Sequence, residues 1–131
     1  MIRTLLLATT MTLASTTMQA GDNATAAIIG KSNITLKSDL MTPEALWAMG
    51  RIGEYHASPD GKKIVYQVAY YSVKQNKSHQ VLYVMDSNGK NNKLLTTTAK
   101  SEMVPAWIAN GTKIAYLSDG QVWSMNVDGS D

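Results

Sequence analysis

A strand-turn-strand pattern occurs twice along this chain, and that self-similarity restricts the fold more than any other feature. The first copy runs Ser58-Pro59-Asp60-Gly61-Lys62-Lys63-Ile64-Val65-Tyr66, resumes at Val81-Leu82-Tyr83-Val84-Met85-Asp86-Ser87-Asn88-Gly89 and closes with Leu94-Leu95-Thr96. The second reads Asn110-Gly111-Thr112-Lys113-Ile114-Ala115-Tyr116, then Gln121-Val122-Trp123-Ser124-Met125-Asn126-Val127-Asp128-Gly129. Gly61 and Gly111, Ile64 and Ile114, and Tyr66 and Tyr116 are each 50 apart, whereas Tyr83 and Trp123, and Gly89 and Gly129, are 40 apart. The first copy therefore carries ten extra residues in mid-unit. A repeat of roughly 40–50 residues holding several short strands is the signature of a β-propeller blade.

A closed propeller takes about four to eight blades, and 131 residues hold one blade and most of another. The expected fold is all-β: an incomplete propeller over residues 51–131 built of four-stranded antiparallel blades, the first at about 51–100 and a second, truncated one at about 101–131, about one and a half to two in all. On that count the chain reads as an amino-terminal fragment. About three or more repeat units are normally needed to bury their apolar faces, so the segment alone is expected to fold poorly.

Residues 1–20 read as an export signal. Arg3 supplies the positive start, and Leu5 to Ala14 is an apolar stretch diluted by threonine, far short of the roughly 20 apolar residues that span a bilayer. Cleavage is expected after Ala20 or, by the small-x-small pattern of Ala24-Thr25-Ala26, after Ala26. An exported protein follows, periplasmic or secreted, with no membrane attachment once the leader is removed. The chain has no cysteine, hence no disulfide and no thiolate metal site. Its formal net charge of +2 makes no electrostatic case for nucleic acid.

Residues 21–40 are small and polar and read as a flexible lead-in. At residues 41–50 the signals switch to one short helix. Thr42 suits the N-cap, Pro43 the first helical position, Glu44 the positive helix end, and Gly50 a left-handed C-cap. Leu46, Trp47 and Met49 are expected to pack on the sheet that follows. Beyond Arg51, strands alternate with turns. Ile64, Tyr66 and Val68 point one way and Val65 and Ala69 the other, while Val81, Tyr83 and Met85 oppose Leu82 and Val84. Both faces are apolar, as in a sheet sandwiched between neighbours. Ser58-Pro59-Asp60-Gly61 suits a type I turn, and Asp86-Ser87-Asn88-Gly89 and Val127-Asp128-Gly129 suit hairpins.

No catalytic, cofactor-binding or metal site is expected in these residues. His56, Ser58 and Asp60 include the three types that a serine hydrolase uses, but Ser58 and Asp60 are needed by their turn. No Gly-x-Ser-x-Gly elbow occurs, and His56 and His79 are the only histidines. Asp86-Ser87-Asn88 has its glycine at the fourth place where a calcium loop needs the sixth. Gly30-Lys31-Ser32 lacks the upstream glycine of a phosphate-binding loop.

The order Met41-Thr42-Pro43-Glu44, Arg51-Ile52, Ser58-Pro59-Asp60-Gly61-Lys62 and Val65-Tyr66 resembles the start of the propeller in bacterial prolyl-oligopeptidase-family serine peptidases. Lys74-Gln75-Asn76-Lys77, Leu82-Tyr83-Val84-Met85-Asp86, Pro105-Ala106-Trp107 and Gly111-Thr112-Lys113-Ile114-Ala115 extend the resemblance over about residues 40–131. It implies an exported dipeptidyl peptidase whose catalytic hydrolase domain lies elsewhere in the same polypeptide. This segment would gate the access of peptide substrates, and Glu54 or Glu102 would be candidates to hold a substrate ammonium. The alternative is an exported TolB-like propeller that binds other proteins and has no enzymatic activity.

Overall fold

The computed structural model describes residues 28–131. The leader expected at residues 1–20 lies outside them, as does the first part of the lead-in. One six-residue helix, α1 (Pro43–Ala48), precedes seven strands: β1 (Arg51–Ala57), β2 (Lys63–Ser72), β3 (Lys77–Asp86), β4 (Lys93–Leu94), β5 (Glu102–Ile108), β6 (Lys113–Ser118) and β7 (Gln121–Asn126). They form two antiparallel sheets, β1-β2-β3-β4 and β5-β6-β7. The fold is all-β, as the alternation predicts. The first copy has the four strands expected of it, and the second, expected to be incomplete, has three.

The repeat in sequence is a repeat in hydrogen-bond register. β2 and β3 pair Ile64 with Met85 and Tyr66 with Tyr83, and β6 and β7 pair Ile114 with Met125 and Tyr116 with Trp123. The offsets of 50 and 40 are thus those of cross-strand partners. The register also slips at corresponding places, between Ile52 and Tyr55 in the first sheet and between Met103 and Ala106 in the second. The same turn closes three corners: Gly61, Gly89 and Gly129 donate their N–H to Ser58, Asp86 and Asn126 at 2.8, 2.8 and 2.9 Å. Each glycine has a positive φ, which is why glycine recurs there.

Each sheet has two faces that do different work. On the first, the forward face carries Val65, Gln67, Leu82 and Val84, and the rear face carries Ile64, Tyr66, Val68, Tyr70, Val81, Tyr83 and Met85. The rear face of the second sheet packs on the forward face of the first. Val65, Leu82, Val84, Leu95, Ile114 and Met125 form that core, with Trp107 and Tyr116 against it. Polar contacts hold the packing in register. Trp107 Nε1 donates to the His56 carbonyl at 2.8 Å, and the N–H of Val104, a residue of the β5 bulge with φ 54°, donates to Gln67 Oε1 at 2.9 Å. A bulge removes an N–H from the ladder, and Gln67 supplies its replacement acceptor.

The helix starts as its sequence predicts and ends differently. Thr42 Oγ1 accepts from the Ala45 N–H at 3.2 Å. Gly50 does not take the expected left-handed cap, because the chain leaves α1 through an extended Met49 at φ −75° and ψ 134° and runs straight into β1. Close approach explains the glycine instead: a Cβ there would lie 2.7 Å from Tyr70 Cε1 and 2.8 Å from Val68 Cγ1. The helix packs on β2 through buried Ala45, whereas Leu46, Trp47 and Met49 stay 40–45% exposed. Their expected burial against the sheet is only partial, because six residues offer too short a stripe. Trp47 meets Tyr71 edge-on, and the Arg51 guanidinium lies 4.7 Å from both ring centroids.

Gly50→Ala should lower stability by about 1–3 kcal/mol, the usual cost of overpacking. Gly30→Ala meets nothing within 4 Å and should change it by less than about 0.5 kcal/mol. Urea titration of the two variants measures the difference.

Candidate functional site

The residues that sequence reasoning singled out for chemistry do not converge. The Ser58 hydroxyl donates to Asp60 Oδ1 at 2.6 Å, and the same two side chains accept the Lys63 and Lys62 N–H groups at 2.9 and 3.1 Å. Both are spent on the turn between β1 and β2. His56 sits with Glu54, Nε2 to Oε2 3.8 Å, in a solvent-exposed pair. In the second turn, Asp86 takes Lys63 Nζ at 2.9 Å and Asn91 Nδ2 at 2.6 Å, so both its oxygens have protein partners.

Glu54 and Glu102, the two candidates for an ammonium, lie in opposite environments. Glu54 is on exposed β1. Glu102 is 1% exposed, accepts from the Thr98 hydroxyl through Oε1 and leaves Oε2 without a protein partner. Fifty residues upstream stands Ile52, 69% exposed. The pairings of Ile52 with Val68 and of Glu102 with Ser118 put both on rear faces. Stacking therefore buries in the second sheet a position that the first leaves open.

A concavity lies over the rear face of the first sheet. It encloses about 600 Å³ between the lead-in, α1 and the sheet, with Ile34, Met41, Ala45, Tyr66, Tyr83 and Asn92 in its walls. The Tyr66 and Tyr83 rings stack at 5.4 Å, the Tyr70 and Tyr83 hydroxyls meet at 3.0 Å, and the Tyr66 hydroxyl donates to Asn92 Oδ1 at 2.8 Å. Burial, reinforced by the Tyr83 hydroxyl, pushes the Tyr70 phenol well above its usual range, and burial also raises Tyr66. These phenols stay neutral and act as hydrogen-bonding apolar surface. Sequence reasoning placed Tyr66 and Tyr83 on the sheet face but gave no sign of this groove, because its other wall comes from residues distant in the chain.

His79 holds the lead-in to the sheets. It is 5% exposed, and its Nδ1 and Nε2 lie 2.8 and 3.0 Å from the carbonyl oxygens of Ile29 and Lys100. Both ring nitrogens face main-chain carbonyl oxygens, at least one of them as an N–H donor, and the buried ring is turned away from solvent. Among the described residues, no group of three or more acidic or histidine side chains is placed to hold a metal ion.

No family model matches the chain. Over 101 residues it is 40% identical to dipeptidyl-peptidase 5 of Porphyromonas endodontalis, a stretch covering 74% of this chain and 15% of that protein. Over 99 residues it is 36% identical to dipeptidyl-peptidase 5 of Porphyromonas gingivalis, covering 72% of this chain and 14% of that protein. The peptidase resemblance read from the sequence is borne out, over a segment about one seventh as long as these relatives.

Glu102→Gln removes a buried charge and keeps the acceptor for Thr98, so it should raise stability by about 1 kcal/mol. A loss of stability on chemical denaturation would show that the charge is compensated. Acid should unfold the protein. Hydrogen bonds from Ser58 to Asp60, from Lys63 and Asn91 to Asp86, and from Ser130 to Asp128 hold these carboxyls below their usual range. A lowered native value gives stability that is present above the unfolded pKa, near 3.8, and is lost as pH falls through the native values. Circular dichroism from pH 7 to 2 should show that loss below about pH 4, with Asp86→Asn less stable at pH 7 and less sensitive to acid.

Proposed function

We propose that this chain is the amino-terminal propeller segment of an exported serine-type dipeptidyl peptidase, and that it gates the access of peptides to a hydrolase domain carried elsewhere in the same polypeptide. The observation that carries this reading is the match to dipeptidyl-peptidase 5 at 40% and 36% identity over only 15% and 14% of those proteins. A match of that proportion leaves ample room for a catalytic domain outside the segment. The two sheets support the propeller part of the reading: they share register, bulge position and turn, and they stack rear face on forward face. Repetition of that step around an axis generates a propeller.

In this role the segment is non-catalytic. Its contribution is exclusion, because a rigid cap admits short or extended peptides and turns folded proteins away. The first twenty residues would direct export and then be removed.

The test is to express the longest open reading frame containing this segment and to assay release of chromogenic dipeptides with and without a serine-directed inhibitor. Inhibitor-sensitive release from short and denatured substrates, with folded proteins left intact, is the expected result. Turnover of folded and unfolded substrates at equal rates would remove the gating role. A reading frame of further blades alone, without turnover, would replace the peptidase with a binding propeller. Export is tested separately by fusing residues 1–26 to a reporter that is active only outside the cytoplasm.

A further inference from the structure

His79 faces two acceptors with, in its neutral form, a hydrogen for one. Its Nδ1 lies 2.8 Å from the carbonyl oxygen of Ile29 in the lead-in, and its Nε2 lies 3.0 Å from that of Lys100 in the link between β4 and β5. A neutral imidazole carries a single N–H, so in either tautomer one of these carbonyls meets a lone pair; the imidazolium donates to both. At 5% exposure the ring has little solvent to supply the missing hydrogen.

The count of hydrogens continues beyond Lys100. The Thr98 hydroxyl has one hydrogen and two acceptors, the Lys100 carbonyl at 3.2 Å and Glu102 Oε1. When the Nε2 lone pair faces it, the Lys100 carbonyl draws on the Thr98 hydrogen. When an imidazolium donates to that carbonyl, the Thr98 hydrogen is released to Glu102, a buried side chain whose Oε2 has no partner. Protonation of His79 therefore completes the hydrogen bonding of the lead-in, the link and the second sheet together. Of the other groups around the ring, Tyr70, directly opposite on β2, and Tyr83 are neutral phenols. Lys31 lines the same cavity and opposes a second positive charge, Lys100 turns its ammonium to Asp119, and Glu102 favours the charge through Thr98.

We propose that His79 is a proton-operated latch on the lead-in: protonation of the ring tightens residues 28–31 against the sheets, and deprotonation loosens them. Opening takes the Ile29 carbonyl away from the ring, so the closed form gains more from the proton than the open form does. The added hold is present as pH falls below the ordinary imidazole range, near about 6.5, and is lost as pH rises through it. Lys31 and Ile34 of the lead-in stand in one wall of the groove over Tyr66 and Tyr83, so the latch sets how firmly that face is sheltered. The inference is independent of the peptidase reading.

A protease takes its substrate as an extended strand, so a cut after exposed Lys31 requires Ile29 to leave His79. Opening is measured as trypsin cleavage after Lys31 in the longest reading frame that contains this segment, followed by mass spectrometry. At each pH the rate is divided by that of a free peptide of residues 28–36. From about pH 8 to about pH 5.5, above the range of acid unfolding, the corrected rate should fall by roughly fivefold or more. His79→Gln cannot titrate and should give a flat profile. Glu102→Gln, which keeps the acceptor for Thr98 but loses the charge, should show less than about half of the parent's fall. Cleavage after Lys74 in the turn between β2 and β3 should follow its own free peptide at every pH. A flat or rising parent profile, a fall undiminished in His79→Gln, or an equal fall at Lys74 would each overturn the proposal. Should His79→Gln fail to fold, Glu102→Gln decides, because an undiminished fall there overturns it as well.

Discussion

Everything in this structure depends on the seating of Ile114 and Met125 from the second sheet against Val65, Leu82, Val84 and Leu95 of the first. A short antiparallel sheet is only marginally stable by itself, and one apolar face against another removes both from water at about 25 cal/mol per Å². This contact converts two meanders into one packed unit. The polar contacts around it set its alignment: Gln67 satisfies the bulged Val104 N–H, and the Trp107 indole reaches the His56 carbonyl. A slide of one sheet along the other would break both hydrogen bonds, so register is held by hydrogen bonding and adhesion by apolar area.

The contact is directional, and the direction organises the remainder. Rear on forward leaves the Tyr66–Tyr83 stack partly open at one end and Val122 open at the other. The lead-in and α1 shelter part of the first surface, pinned by His79 to Ile29 and by Gly50 lying against Tyr70 and Val68.

Much of this architecture was legible in the residues. Spacing of the Gly, Ile and Tyr positions marked the unit, alternation marked the faces of β2 and β3, and Ser58-Pro59-Asp60-Gly61 marked a turn whose serine and aspartate are consumed by its own hydrogen bonds. The peptidase resemblance carried by Thr42-Pro43-Glu44 and the later motifs agrees with the similarity to dipeptidyl-peptidase 5. Gly50 was misread because a glycine after a helix has two uses, and the choice between them depends on which side chains arrive from β2. Glu102 showed nothing in sequence to separate it from exposed Glu54, and the groove had no local signature.

Local rules therefore determined the elements: alternation with period two, turn chemistry and capping act over a few residues and are written in them. Tertiary structure decided which of two equivalent apolar faces is buried, and with it the fates of Ile52 and Glu102 and of Leu82 and Val122. The physical reason is that both sheets carry the same pattern, and burial depends on the presence of a neighbour, which no residue encodes by itself.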